Sequence, residues 1–406
     1  MPALSRRMVA RDSSEPDRVS SPLELLFDLT FVVAISQVAA QLAAAAEHGH
    51  ELGALWPYCT VFFAIWWAWM NFTWFASAYD TDDVAYRLLT LLQMGGVLLL
   101  AAGVPAAFNG HPAAATLGYF VMRLGLVSQW SRAAIQNPDG RRTAVRYAIG
   151  YSIVQAAWLS RLALPAGGPK WIFIVLVIAE LSIPLLAERT GMTTWHPHHI
   201  AERYGLFTLI LLGESVLPAM ASIQNAVRDG VTSGVIVIAV AGLLLLFALW
   251  WLYFSEPSGE GLERYRNRSF FWGYGHFFVF ASLAAIGAGL EVAVVAVSDS
   301  NNHEMLSDRA GEYAVAAPVA VFLLFLWILH APIVQAVVVP PLATITVAVI
   351  VLAVPLVGWG VGPSLALISI AAMILLAITL RPANRRGTKT TTAAAPSKNN
   401  DRAENS

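Results

Sequence analysis

Apolar runs of about 20 residues follow one another along almost the whole chain, and no other feature limits the fold as strongly. Wound as a helix, such a run crosses the hydrocarbon core of a bilayer, where a backbone must satisfy its own hydrogen bonds. Candidate spans fall near residues 23–46, 53–76, 86–108, 113–135, 143–163, 171–187, 203–222, 231–254, 269–297, 313–331, 341–359 and 362–380. The last two are separated only by Gly358 to Pro363 and are also compatible with a re-entrant hairpin, and the stretch around Pro340 and Pro341 is ambiguous. The expected fold is all-α, a polytopic transmembrane helix bundle of about twelve spans. Composition agrees: 57% of residues are hydrophobic and 13% are charged, against about 25% charged in a soluble domain.

The chain divides into a polar cytoplasmic N-terminal segment at 1–22, a transmembrane domain at 23–380 and a disordered cytoplasmic tail at 381–406 that has no apolar periodicity to bury. The first apolar run contains Glu24 and Asp28 and lacks a clean apolar core followed by a cleavage site, so it is expected to remain as a span. A net charge of -1 offers no concentrated basic face for phosphates, which argues against nucleic acid. The expected partners are the lipid bilayer and a small solute or proton, and a homo-oligomer is compatible with the sequence. Cys59 stands alone, so neither a disulfide framework nor a cysteine metal site is expected, and it reads as packing.

Arginine placement checks the span count independently of hydropathy. Arg132, Arg141, Arg142 and Arg146 fall around the fourth connection, Arg189 and Arg203 around the sixth, and Arg264, Arg266 and Arg268 around the eighth. The alternate connections carry only Arg161, Lys170, Arg228 and Arg309. This asymmetry predicts an even number of spans with both termini in the cytoplasm, the chain lying in an inner membrane. A parallel internal repeat of halves 23–187 and 203–380 is suggested by Trp66-Trp67-Ala68-Trp69-Met70-Asn71 and Trp250-Trp251-Leu252-Tyr253-Phe254-Ser255, each followed by acidic residues and then Tyr-Arg. The plainer account is that aromatic belts recur at membrane boundaries.

Ionisable groups within spans are costly and normally face partners or water. At a rise of 1.5 Å per residue, Arg123 and Glu180 lie ~15 Å into their spans, Glu214 ~16 Å past Arg203, His276 ~12 Å deep and Gln93 ~9 Å deep. Converging, Arg123 would neutralise one glutamate and leave the other to take and release a proton; a static ion pair that locks helices is the alternative. Glu24 and Asp28, four residues apart, share a helix face. Glu24 reads as a helix-start acid and Asp28 as the entrance of an ion path. A cytoplasmic mouth is expected from Glu24, Asp80, Asp82, Asp83, Arg87, His199, Glu202 and Arg203. His198 and Glu202 are spaced as metal ligands but lack a second pair, so no metal is expected. Neither a phosphate-binding loop nor a nucleophile elbow is present, so no cofactor, catalytic residue or enzyme activity is expected.

The residues resemble the bacterial low temperature requirement A family. The resemblance rests on Glu24-Leu25-Leu26-Phe27-Asp28-Leu29-Thr30-Phe31-Val32, Trp66-Trp67-Ala68-Trp69, Tyr79-Asp80-Thr81-Asp82-Asp83 with Tyr86-Arg87 and Gln93-Met94, and His199-Ile200-Ala201-Glu202-Arg203 leading to Leu212-Gly213-Glu214-Ser215, and it covers about residues 20–380. It implies a polytopic membrane protein bearing on cold tolerance, with Asp28, Asp80 to Asp83, Arg87, Gln93, His199, Glu202, Arg203 and Glu214 as family-like polar positions. It implies no substrate. The leading expectation is a proton- or cation-coupled secondary transporter centred on Glu214, Glu180 and Arg123. The rivals are a non-transporting membrane-homeostasis factor whose polar groups are interhelical glue, and a membrane enzyme acting on a lipid-linked substrate near His198 to Arg203.

Overall fold

The computed structural model describes residues 4–13, 15, 18–217, 220, 224, 233–255, 258–298, 308–333 and 339–381. Among these residues there is no strand, and the expected spans fall on helices, the seventh displaced by six residues toward the N-terminus: α1 Pro22–Glu47, α2 Glu51–Tyr79, α3 Val84–Phe108, α4 Ala113–Gln136, α5 Arg141–Ser160, α6 Lys170–Ala187, α7 Pro197–Glu214, α8 Ser233–Phe254, α10 Ser269–Ser298, α11 Asp308–His330, α12 Pro341–Val357 and α13 Val361–Thr379. The short α9 Ser258–Arg264 lies between α8 and α10. Among the described residues, eight helical segments are long and apolar enough to cross a membrane, by length and composition. Outside that group, α4, α5 and α7 are less apolar, with Arg141, Arg142 and Arg146 on α5 and Glu202, Arg203 and Glu214 on α7, and α12 has only 17 residues.

Local chemistry sets the helix starts. Ser21 and Glu24 form a reciprocal capping box ahead of Pro22, which satisfies two amide donors that a helix start leaves open. Asp83 caps α3 by accepting from the Tyr86 amide, and His196 caps α7 ahead of Pro197. The turn between α12 and α13 uses Gly358 and Gly360, both at positive φ, where a side chain would be strained.

Tight connections fold neighbouring helices back on one another, so the bundle has a near face, which holds the start of α1, and a far face, which holds its end. Helix α1 packs on α2, α3, α7 and α10 and joins the earlier helices to the later ones. The N-terminal segment lies against the near face: Met8 is fully buried, the Arg6 amide donates to Asp83 at 2.7 Å and the Arg11 amide to the Ala78 carbonyl at 2.9 Å. The tail at 382–406 lies outside the described residues. Exposed Leu88, Leu91, Leu98, Ile174, Val175 and Ile178 face outward while charged groups lie inside, the distribution expected of a protein surrounded by lipid.

Two sequence expectations need correction. Cys59 is exposed on the outer surface of α2 and does not pack in the interior. The two aromatic stretches behind the proposed repeat have different surroundings: Trp66, Trp67 and Trp69 are buried in α2, whereas Trp250, Trp251 and Phe254 on α8 are exposed.

The closest helix contact is between α3 and α4. Gly96 and Gly103 on one helix and Gly118 and Gly125 on the other bring the backbones so near that a Cβ at Gly96 would sit 2.7 Å from the Gly118 carbonyl oxygen, and one at Gly125 2.8 Å from that of Leu89. Gln93 belongs to this seam: its amide donates to Gln129 at 3.0 Å, and Gln129 donates to Thr90 at 3.1 Å. Gly118→Ala is expected to lower stability by about 1–3 kcal/mol through overpacking. Gly53→Ala, where a Cβ meets nothing within 4 Å, is the control and should leave stability unchanged or slightly raised. Thermal melting of the purified variants tests this, and equal melting temperatures would contradict the close seam.

Candidate functional site

Helix α2 stands between two clusters of buried charge and serves both. Trp67 and Asn71 lie one turn apart on one face; Trp69 and Thr73 lie one turn apart on the opposite face.

On the first face, Arg123 of α4 donates to Glu180 Oε2 of α6 at 2.6 Å, and both are nearly inaccessible, at 3% and 1% exposure. Trp67 donates to the same oxygen at 2.8 Å, while Trp158 of α5 and Tyr119 of α4 reach Glu180 Oε1 at 3.2 and 3.4 Å. Arg123 also donates to the Tyr119 hydroxyl and lies 4.2 Å over the Tyr151 ring, whose hydroxyl donates to Asn71. Its Nε and Nη1 have no hydrogen-bond partner.

On the opposite face, Arg203 of α7 grips both acids of α1: Nη1 donates to Glu24 at 2.9 Å, and Nε and Nη2 donate to the two oxygens of Asp28 at 3.0 and 2.6 Å. Trp69 donates to Asp28 at 2.7 Å, the Ser21 amide to Glu24 at 2.8 Å, and His199 Nε2 lies 3.1 Å from Glu24. The charges alternate outward to the near face, from Glu24 to Arg18 at 3.9 Å, from Arg18 to Asp80 at 3.9 Å and from Asp80 to Arg11 at 3.6 Å.

Several expected groupings change. Of the two glutamates expected at the depth of Arg123, Glu180 is the one that meets it, and Glu214 does not join them. Helix α7 begins at Pro197, so Glu214 is its last residue, ~26 Å along the axis and at the far face. It is half-buried, and its charge bears on Glu291 together with that of Glu47. Arg203, His199, Glu24 and Asp28 do not line an open mouth; they are sealed inside, and Asp28 is fully engaged rather than facing an ion path. Glu202 accepts from the Ser20 amide at 3.3 Å. His276 is held by the Trp272 carbonyl at 2.7 Å and faces the Tyr253 hydroxyl at 3.3 Å, apart from both clusters.

The acidic loop splits three ways. Asp82 pairs with Arg87 at 2.8 Å in the open, and Asp83 is buried against Arg132. Burial opposes ionisation of Asp83, but Arg132 and the amides of Arg6 and Tyr86 outweigh it and hold the carboxyl at about 2. Asp80 goes the other way: burial and the nearby Glu24 charge push it up to about 6, against the pull of Arg18 and Arg11. Among the described residues no cluster of three or more His, Cys, Asp or Glu could hold a metal.

Two cavities approach the Arg123–Glu180 pair from opposite ends. The far one, of about 290 Å3, is lined by Trp56, Phe63, Phe108, Phe173 and Arg161, and reaches Tyr119 and Trp158. The near one, of about 30 Å3, reaches Trp67, Asn71 and Tyr151 and is lined also by Glu188, Thr193 and Trp195. Sequence reasoning gave these aromatic residues no role at a site. It also passed over Glu312, which is 1% exposed and accepts from the Gly360 amide at 2.8 Å. An indole or phenol reads as apolar in a helix, and nothing in a single sequence links it to an ion on another helix.

The model of the bacterial low temperature requirement A protein family matches residues 19–379. An uncharacterized protein of Rhizobium meliloti (strain 1021) is 25% identical over 313 residues, covering 70% of this chain and 72% of that protein. No solved structure matches.

Removing Arg203 would leave Glu24 and Asp28 facing each other away from water, so Arg203→Gln is expected to cost about 3–5 kcal/mol, read as a lower melting temperature and reduced yield. Asp80 binds its proton more tightly folded than unfolded. Its contribution is therefore complete below its ordinary value of 3.8 and is lost as pH rises through about 6. Melting temperature should accordingly fall between pH 5 and pH 7.5 by more in wild type than in Asp80→Asn. Parallel profiles would refute the buried-carboxyl assignment.

Proposed function

Because the chain belongs to the bacterial low temperature requirement A family, we propose that it is a multi-pass inner-membrane protein with about twelve spans and both termini cytoplasmic, acting as a proton- or cation-coupled secondary transporter of a small solute. The observation that carries this reading is the partition formed by Arg123 and Glu180. Tyr119 and Trp158, which hold the pair, line the far cavity; Trp67, which also holds it, lines the near one with Asn71 and Tyr151. A solute crossing between helices α2, α4, α5 and α6 would have to part this pair.

The orientation rests on the arginines of the near face, Arg132, Arg141, Arg142 and Arg146 among them, which the positive-inside rule assigns to the cytoplasm. The far cavity then opens away from the cytoplasm, and the narrow near cavity is the closed side. Glu180 is the coupling carboxylate. Its protonation would release Arg123, and Trp67, Trp158 and Tyr119 are poised to keep either form hydrogen-bonded. Interhelical glue suits the Arg203 cluster, where the two acids and the arginine are mutually satisfied. We assign no catalytic residue and no cofactor.

Proteoliposomes test the proposal by dissipation of an imposed pH gradient with and without candidate ions and metabolites. Wild type should give solute-dependent proton flux. Glu180→Gln and the charge-neutral double variant Arg123→Gln/Glu180→Gln should both fall to the level of protein-free vesicles. The double variant removes the uncompensated charge, so its retained fold separates lost transport from lost structure. Absence of flux from folded wild type across the panel, or full flux through the double variant, would overturn the reading.

A further inference from the structure

The far cavity has a chemical character more specific than that of an opening. Its lining includes the aromatic rings of Trp56, Phe63, Phe108, Tyr119, Trp158 and Phe173, and the charged side chain among its lining residues is Arg161. Arg161 has no ion-pair partner among the described residues, and its Nε is buried without a hydrogen-bond partner. Its guanidinium lies 5.7 Å from the Trp158 ring centre and 5.4 Å from that of Phe173, so aromatic faces rather than a carboxylate hold it at the cavity wall. At the rim, the Lys170 ammonium stands 5.1 Å over Trp56. An arginine left without an anion beside a cavity of about 290 Å3 is a receptor for one, because its planar fork pairs with carboxylate or phosphate oxygens and the rings take an apolar body.

We propose that the far cavity binds an amphipathic organic anion, its carboxylate or phosphate on Arg161 and its apolar part among Trp56, Phe108, Phe173 and Trp158. This rests on the pathway reading in making the occupant a transport substrate, but the binding itself does not require transport. Floor residues Tyr119 and Trp158 also hold Glu180, so an occupant would touch the same side chains that support the Arg123–Glu180 partition.

The test is equilibrium binding to the full-length protein in phosphatidylcholine nanodiscs, read by tryptophan fluorescence and calorimetry. The probes are benzoate, its neutral counterpart benzamide, and acetate, which has the charge without the ring. Benzoate should bind more tightly than either, and Arg161→Gln should weaken it about tenfold or more, the loss of one charge-assisted pair, with partial recovery in Arg161→Lys. Benzamide binding as well as benzoate, or Arg161→Gln binding benzoate like wild type, would overturn the proposal. Nanodiscs with a rising fraction of phosphatidylglycerol identify the source: competition with benzoate makes the natural occupant a lipid headgroup, and unchanged affinity makes it a free solute. Arg161-dependent binding without proton flux would leave the site standing and defeat the transport reading, whereas flux without benzoate binding would do the reverse.

Discussion

An ion taken out of water must find its partners within the bundle, and helix α2 supplies them on two sides. Two residues apart on a helix means nearly opposite faces. In Trp66-Trp67-Ala68-Trp69-Met70-Asn71, Trp67 therefore reaches Glu180 on α6 while Trp69 reaches Asp28 on α1. One turn further along, Asn71 takes the Tyr151 hydroxyl and Thr73 approaches Arg203 at 3.4 Å. The helix continues as a donor at Trp74, which reaches the Tyr204 hydroxyl at 3.1 Å. An indole brings one N–H and a large apolar body, so it can satisfy a buried carboxylate without adding a second charge that would itself need a partner.

The two faces of the molecule differ as a result. At the near face the N-terminal segment, the α2–α3 loop and the end of α4 are laced together by Arg132 with Asp83, Arg18 with Asp80 and the backbone contacts of Arg6 and Arg11. Arg266 closes another stretch by stacking 4.2 Å over Trp195 and donating to its carbonyl at 2.8 Å. At the far ends of α2, α4 and α5 the charges are sparse and aromatic rings surround open volume. A near face clasped by ion pairs and a far face open beside Arg161 correspond, in the proposed cycle, to a state facing away from the cytoplasm.

Much of the helix pattern was legible because twenty apolar residues leave few alternatives, and Ser21 with Glu24 marks the first helix start as a capping box. That Arg123 meets a glutamate near the middle of the helices was legible from depth, but depth did not choose Glu180 over Glu214. Glu214 misled. Its depth was measured from Arg203, which was treated as a boundary because arginines usually are; the α7 helix starts six residues earlier, carrying Arg203 inside and Glu214 to the far end. Burial of Arg203 depends on Glu24 and Asp28 from a helix 175 residues away in sequence, a coincidence no local pattern encodes. The same holds for the indoles and phenols around Glu180. Their role exists only once the helices are assembled.

Arg203 and Arg123, both buried, differ in a way that bears on the proposed division between structural and functional use. Arg203 spends Nε, Nη1 and Nη2 on two carboxylates, with an indole and an amide completing the acids' shell. Breaking that set exposes several unpaired charges together, so it resists rearrangement. Arg123 has one carboxylate and one hydroxyl on Nη2, two nitrogens without partners, and the Tyr151 ring beneath it. Its present geometry is the less satisfied one, and the free-energy gap to an alternative in which it meets water or an anion is correspondingly smaller. Cavities approach the pair from both sides, so in the proposed cycle that alternative lies within reach of a solute. A fully satisfied ion cluster serves best as a fixed joint, and an incompletely satisfied one bordered by open volume serves best as a gate.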